Sequence, residues 1–287
     1  MLLLFNKTYI QPNMNKKSKI ISHLMLVLGF SINSITGNSQ SMYASFNLGY
    51  GLGSGTQSYT NRTVTNNSDI LETINISLGK GINATGTFGY ILSDNISAEI
   101  GVAYLISAKQ EVFNNNLTRP RTRVEEYAGS MLKLNPTVVF SMPMQGSLQP
   151  YAKLGVVLGF GNSKYTYTND DPTNNRLDID EWKFNGGLGI GLNSAFGVYY
   201  SLNDNMKLFA ELNITSLNYA PTNGELVTST SNGVDQLPSL DTIDKEIIFV
   251  DPLDNNINIS ITNPDQALKV KLPYGSTGVN IGVTYNF

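Results

Sequence analysis

The chain has 287 residues, of which 41% are hydrophobic and 14% charged, and its net charge is −3. A charged fraction this far below the ~25% of ordinary soluble domains points away from a water-solvated surface, and the weak negative balance provides no field that would gather nucleic acid. Cysteine is absent and the single histidine is His23, which excludes a disulfide framework and thiolate metal sites.

The first element is an address. From Met14 the chain reads MNKKSKIISHLMLVLGFSINSITGNSQ. Lys16, Lys17 and Lys19 form a basic region, residues 20–30 a mainly apolar core, and Gly37 and Ser39 offer small residues before Gln40. That is the layout of a secretory signal peptide. The apolar run covers about a dozen residues, short of the ~20 that a spanning helix needs. We therefore expect a signal peptide over 1–39, with translation starting at Met14, and a mature domain over 40–287 that lacks His23.

Past residue 40 the pattern changes to a period of two, the signature of strands with unlike faces. Alternating segments occur at 42–53, 81–92, 96–107, 130–141, 150–161, 182–200, 206–217 and 269–287. Connections at 92–95, 142–149 and 201–205 are short, whereas 54–80, 108–129, 162–181 and 218–268 are long and polar. Three hairpins share one plan of aromatic-ended strand, turn and alternating strand, which suggests a meander. An even strand count, with tight turns at one end and long loops at the other, predicts an all-β, eight-stranded antiparallel up-and-down transmembrane barrel with long extracellular loops.

The two faces decide between lipid and water. On the strand from Ile96, the residues Ile96, Ala98, Ile100, Val102, Tyr104 and Ile106 oppose Ser97, Glu99, Gly101, Ala103 and Leu105. On the strand near 182, Trp182, Phe184, Leu188, Ile190 and Leu192 oppose Lys183, Asn185, Gly187, Gly189 and Asn193. A soluble barrel would need its polar face rich in Lys, Glu and Asp. Here that face is Gly, Asn, Ser and Thr with isolated charges, which suits the crowded bore of an eight-stranded barrel. The apolar face then meets hydrocarbon, and ring closure satisfies every backbone group there. Tyr50, Tyr90, Tyr104, Phe140, Tyr199, Tyr200, Tyr285 and Phe287 fall near strand ends, as interfacial girdles do.

The bore is expected to hold a charge network of Glu99, Lys133, Lys153, Lys183 and Glu211. Two carboxylates at like depth can serve acid–base chemistry, but charges in a narrow bore must pair, so a structural network that plugs the barrel is the expected reading. Loop 162–181 carries Asp170, Asp171, Asp178, Asp180 and Glu181. Such oxygen clusters can hold Ca²⁺, yet the EF-hand glycine and ligand order are missing. A solvated acidic loop, with no bound metal, is expected. Arg119, Arg121 and Arg123 are candidates for lipopolysaccharide phosphates, against the simpler reading of a solvated loop. Residues 218–268 carry eight acidic residues and one lysine, and within them 246–251 and 257–262 read as a hairpin outside the membrane. Its edge could pair with a partner strand.

The last ten residues, GVNIGVTYNF, end in phase on Val283, Tyr285 and Phe287. This resembles the C-terminal β-signal of bacterial outer-membrane proteins, which implies recognition by the barrel assembly machinery. LKLNPTVVFSM followed by SLQPYAKLGVVLGFG resembles the Bacteroidota "outer membrane protein beta-barrel domain" family, with its Pro in the fourth strand and Pro-Tyr opening the fifth. More widely, residues 42–287 look like the small OmpA/OmpX-type barrels. Pro136 removes a ladder donor in a sheet without edges, so a bulge or a loop-side position is expected there. Barrel enzymes of the omptin, acyltransferase and phospholipase types need a catalytic histidine, which the expected mature chain lacks.

The resulting expectation is a monomeric, non-enzymatic barrel in the outer membrane, without cofactor, with an envelope-structural or surface-interaction role. Its expected partners are outer-membrane lipid and a surface or envelope protein. The rival readings are a narrow porin-like channel and an accessory subunit of a secretion or assembly complex.

Overall fold

The computed structural model describes residues 42–254 and 259–287; the expected signal peptide, including Met14 and His23, lies outside the described residues. No helix among the described residues is long and apolar enough to cross a membrane. The molecule is built from strands. In chain order they are β1 (Met42–Gly53), β2 (Gln57–Val64), β3 (Asp69–Ile76), β4 (Gly81–Ser93), β5 (Ile96–Ser107) and β6 (Gln110–Asn116). There follow β7 (Arg121–Ser141), β8 (Leu148–Asp171), β9 (Arg176–Asn185), β10 (Gly189–Ser201), β11 (Met206–Tyr219) and β12 (Asn223–Ser231). The last are β13 (Val234–Asp235), β14 (Glu246–Val250), β15 (Asp265–Leu268), β16 (Leu272–Pro273) and β17 (Ser276–Asn286).

Eight of these close a ring in the order β1, β4, β5, β7, β8, β10, β11, β17 and back to β1, every neighbour antiparallel. The alternation fixes which face goes where. Leu48, Leu154, Leu212 and Ile281 are each more than half exposed on the outer wall, whereas Asn47, Glu99 and Asn280 are buried inside. In water the outer wall would be one continuous apolar patch, far beyond what a soluble monomer tolerates. In a bilayer it is the wetted surface, and the ring leaves no backbone edge in hydrocarbon.

The structure corrects the sequence reading in four places. The segment 182–200 is two strands, not one. Gly186 and Gly187, both at φ +75°, break it, and the break inverts the phase. Trp182 and Phe184 therefore face inward on β9, opposite Tyr165 and Ser163, while Ile190 and Leu192 face lipid on β10. Pro136 sits opposite Ile100, in the half of the barrel near the tight turns. The β7–β8 pairing skips Asn135 and Pro136 but resumes at Thr137–Gly155 with the register of Leu134–Leu158 unchanged. There is thus a gap in the ladder and no bulge. Tyr199 is not a girdle residue; it is buried in the bore, stacked on Tyr151 at 4.1 Å between ring centroids. Lastly, 246–251 has other partners among the described residues than the expected hairpin with 257–262. β14 lies antiparallel to β12 and parallel to β15, and residues 255–258 are outside the described residues.

Within the long connections the described residues form further strands. β7 and β8 continue past the ring, and an open sheet grows on either side of them in the order β3, β2, β6, β7, β8, β9, β12, β14, β15. Its inner face continues the inner face of the bore, because β7 and β8 keep one side-chain phase throughout. Tyr127 and Tyr165 lie on that face with ring centroids 5.2 Å apart, and the Tyr59 ring packs 5.0 Å from Tyr127.

Candidate functional site

The bore is layered. At the tight-turn end Val139, Tyr151, Tyr199 and Phe209 pack into an apolar plug. At the extracellular end Leu78, Leu105, Met131, Val157, Leu217, Tyr219 and Tyr274 pack into a second one. Tyr274 donates its hydroxyl to the Asn162 carbonyl at 2.7 Å, which locks the upper plug to the wall. Close approach is possible because Gly129 and Gly159 carry no side chain where Tyr274 and Met131 pass.

Between the plugs lies a polar chamber of about 50 Å³, enough for a few waters. Lys153 holds it together. Its Nζ sits 3.1 Å from Glu99 Oε2 and 3.6 Å from Glu211 Oε2. Tyr43 donates to Glu99 Oε1 at 2.9 Å, Tyr151 to Glu211 Oε2 at 2.9 Å, and Asn280 Nδ2 to Glu211 Oε1 at 2.9 Å. Every carboxylate oxygen thus has a donor, and the ammonium also lies 5.2 Å from the Tyr151 ring centroid. Lys133 lines the same chamber, buried, with no ion-pair partner among the described residues. Its charge makes the layer neutral overall. The Oδ1 atoms of Asn47, Asn83 and Asn135, in residues that line the chamber, have no donor among the described residues.

Of the five charges expected in the bore, Glu99, Lys153 and Glu211 are therefore in direct contact and Lys133 shares their chamber. Lys183 does not join them. It lies on β9, opposite Lys164 and Glu225 on the outer face of the extracellular sheet, as the phase inversion at Gly186–Gly187 requires.

The acidic residues of the 162–181 segment do not converge. Asp171 accepts from the backbone and side-chain amides of Asn174 and so caps a short turn. Asp178 pairs with Arg176 at 2.7 Å and accepts from Ser231 at 2.8 Å. Asp180 accepts from Ser229 at 2.7 Å, Glu181 pairs with Lys164, and Asp170 is exposed. Burial pushes the Asp178 carboxyl up, but hydrogen bonds from Arg176, Ser231 and Asn169 outweigh it and hold it below the usual range. No cluster of metal-ligating side chains occurs among the described residues. Arg121 and Arg123 lie on the inner face of β7, and Arg119 in the turn before it. At the other end of the barrel, Tyr285 and Phe287 project outward and meet edge to face at 5.5 Å.

The tyrosines of the bore and its two plugs were missed by sequence reasoning. A signal existed: Leu105 and Val157 are apolar exceptions on otherwise polar faces, and both sit toward the extracellular end of their strands.

A closed eight-stranded ring with an apolar outer wall and a polar, plugged bore defines a small transmembrane barrel. The sequence profile of the outer membrane protein beta-barrel domain family matches residues 22–235, and the chain belongs to that family. It is an integral protein of the cell outer membrane, embedded in that membrane's lipid. No curated protein sequence matches the chain. Among solved structures, Neisserial surface protein A is similar at 11% identity and TM-score 0.38, over 87% of this chain and 100% of that one. The attachment invasion locus protein of Yersinia pestis is similar at 9% identity and TM-score 0.30, over 86% and 97%. The outer membrane protease OmpT of Escherichia coli is similar at 9% identity and TM-score 0.32, over 89% and 99%. At such identities and scores these likenesses carry no information on function.

Proposed function

We propose that this protein is a closed, non-enzymatic barrel that anchors an extracellular sheet for interaction at the cell surface. The observation that carries the reading is the obstruction of the bore. Two apolar plugs flank an ion-pair network, which argues against a continuous path for water or a small solute. The same layers shield Glu99 and Glu211 from any substrate, and each carboxylate is already committed to its partners, which disfavours acid–base catalysis. The mature protein spans 40–287 after removal of a signal peptide over 1–39, and Val283, Tyr285 and Phe287 form the signal read by the assembly machinery.

Planar-bilayer recording of the purified barrel tests this reading. The expected result is electrical silence; steady unitary conductance overturns it in favour of a narrow channel. Surface proteolysis of intact cells complements it: cleavage within 54–80 or 218–254 is expected, and full protection of both contradicts an extracellular sheet. A stable complex with secretion or assembly proteins after mild detergent extraction would move the reading to an accessory subunit.

A further inference from the structure

The inner face of the extracellular sheet carries a side-chain set that neither the bilayer nor the bore requires. Arg62 on β2 opposes Asn114 on β6, and Asn114 opposes Arg123 on β7. One step further out, Val64 opposes Asn116, which opposes Arg121. Directly opposed residues share a face, so β2 and the β6–β7 hairpin bring three guanidiniums and two amides to one wall. These six residues line a concave pocket of about 240 Å³.

Like charges on neighbouring strands repel unless something offsets them. Arg62 is offset by Asp69, which it grips with Nε at 2.9 Å and Nη2 at 2.8 Å. Arg121 Nε donates to Asn169 Oδ1 at 2.9 Å, a neutral partner, and feels the charge of Asp171 at the flank. Among the described residues Arg123 has no carboxylate in contact, and its buried Nε has no acceptor. No carboxylate lines the pocket itself. The cluster therefore keeps positive charge and at least one unmet donor. A guanidinium fork matches phosphate or carboxylate with two parallel hydrogen bonds, and amide side chains both donate and accept, as sugar hydroxyls do. Arg123 lies seven residues beyond Ser130, where β7 stops pairing with β5, or about 23 Å along the strand. That is on the extracellular side of the ring.

We propose that this pocket binds an anionic saccharide, a sugar whose phosphate or carboxylate lies against Arg121 and Arg123 and whose hydroxyls meet Asn114 and Asn116. The assignment rests on the reading of the barrel as a closed surface platform and supplies the ligand class for it. The sugar is either a unit of the membrane's own lipopolysaccharide or a soluble saccharide.

The test is calorimetric titration of the barrel in phosphatidylcholine nanodiscs with mannose 6-phosphate, and with mannose as the neutral control. Binding of the phosphosugar alone is expected, weakening as salt rises. Arg121→Gln and Arg123→Gln each weaken it by about tenfold or more. Arg119→Gln, outside the pocket, leaves it unchanged. Arg123→Lys keeps the charge without the fork and gives an intermediate loss, so the site stays testable if the glutamine variant folds poorly. Repeating the titration in nanodiscs that contain lipopolysaccharide separates the sources. A fall in apparent affinity assigns the site to lipopolysaccharide, and an unchanged affinity assigns it to a soluble sugar. Equal binding of both sugars, no binding, or folded arginine variants with unchanged affinity overturns the proposal. If those results accompany a silent bilayer, the pocket assignment alone falls and the closed-platform reading stands.

Discussion

Replacing Lys153 with methionine isolates the chamber's central interaction. The side chain of Lys153 is 12% exposed, and those of Glu99 and Glu211 are 3% and 5%. Methionine keeps most of the volume and the apolar contact with Tyr151 and Phe209, but leaves two neighbouring carboxylates without their shared counter-charge. Breaking a buried pair in this way costs about 3–5 kcal/mol. The tyrosine and amide donors to both carboxylates remain, so the lower part of that range is expected, about 3 kcal/mol. The assay is a urea titration in lipid vesicles, read by the fraction that keeps heat-modifiable gel mobility. Restoring charge balance separates electrostatics from packing. Adding Glu99→Gln to Lys153→Met leaves one carboxylate, Glu211, and one ammonium, Lys133, in the chamber, and this neutral double variant should recover stability to within about 1–2 kcal/mol of wild type. Lys153→Met with wild-type stability, or a double variant no better than the single, refutes the reasoning.

Tyr274→Ala removes an anchor of the upper plug and its bond to the Asn162 carbonyl; it is expected to cost about 3–5 kcal/mol in the same titration. The variant should nevertheless stay silent in planar bilayers, because Tyr151, Tyr199 and Phe209 still close the other end. Gly187→Ala forces a side chain into φ +75°, against the Ala220 carbonyl. Limited proteolysis should then cut within 176–185 at least several-fold faster, with ring mobility on gels unchanged, since strain there loosens β9 and spares the barrel. The depressed Asp178 carboxyl makes the β9–β12 junction acid-sensitive. Its stabilisation is complete above the ordinary carboxylate range near pH 4 and fades as pH falls through the lower folded value. Hydrogen exchange of 223–231 should accelerate below about pH 4, and Asp178→Asn should flatten that response.

How much of this was legible in the sequence depends on the range of the interactions. Segments 42–53, 96–107 and 206–217 alternate strictly, and they lie within ring strands because lipid on one side and a crowded bore on the other punish any slip of register. The residues that meet in the chamber could be named from their face alone, since Glu99, Lys153 and Glu211 are charges on small-residue faces. The error at 182–200 has a definite cause. Trp182, Phe184, Leu188, Ile190 and Leu192 keep an unbroken apolar phase at even positions, so nothing in the pattern marks the inversion except the two adjacent glycines. Tyr199 and Tyr200 are neighbours and must point to opposite faces, which limits any girdle to one of them. The extracellular strands were read as loops because Asn, Asp and Thr dominate them, and such residues give weak strand signals. The pairing of Arg62, Asn114 and Arg123 spans three connections, and no local pattern announces it.

The central claim is that hydrocarbon wets the outer wall. The chain contains no cysteine, so single spin labels can be placed cleanly at Leu192→Cys and Ile281→Cys on that wall and at Thr228→Cys on the extracellular sheet. Accessibility to oxygen and to a water-soluble nickel chelate then reads the solvent directly. The account predicts high oxygen and negligible chelate collision at residues 192 and 281, with the reverse at 228. Strong chelate collision at 192 and 281 in membrane-reconstituted protein would mean that water touches those side chains, and the assignment of the apolar face to lipid would be wrong.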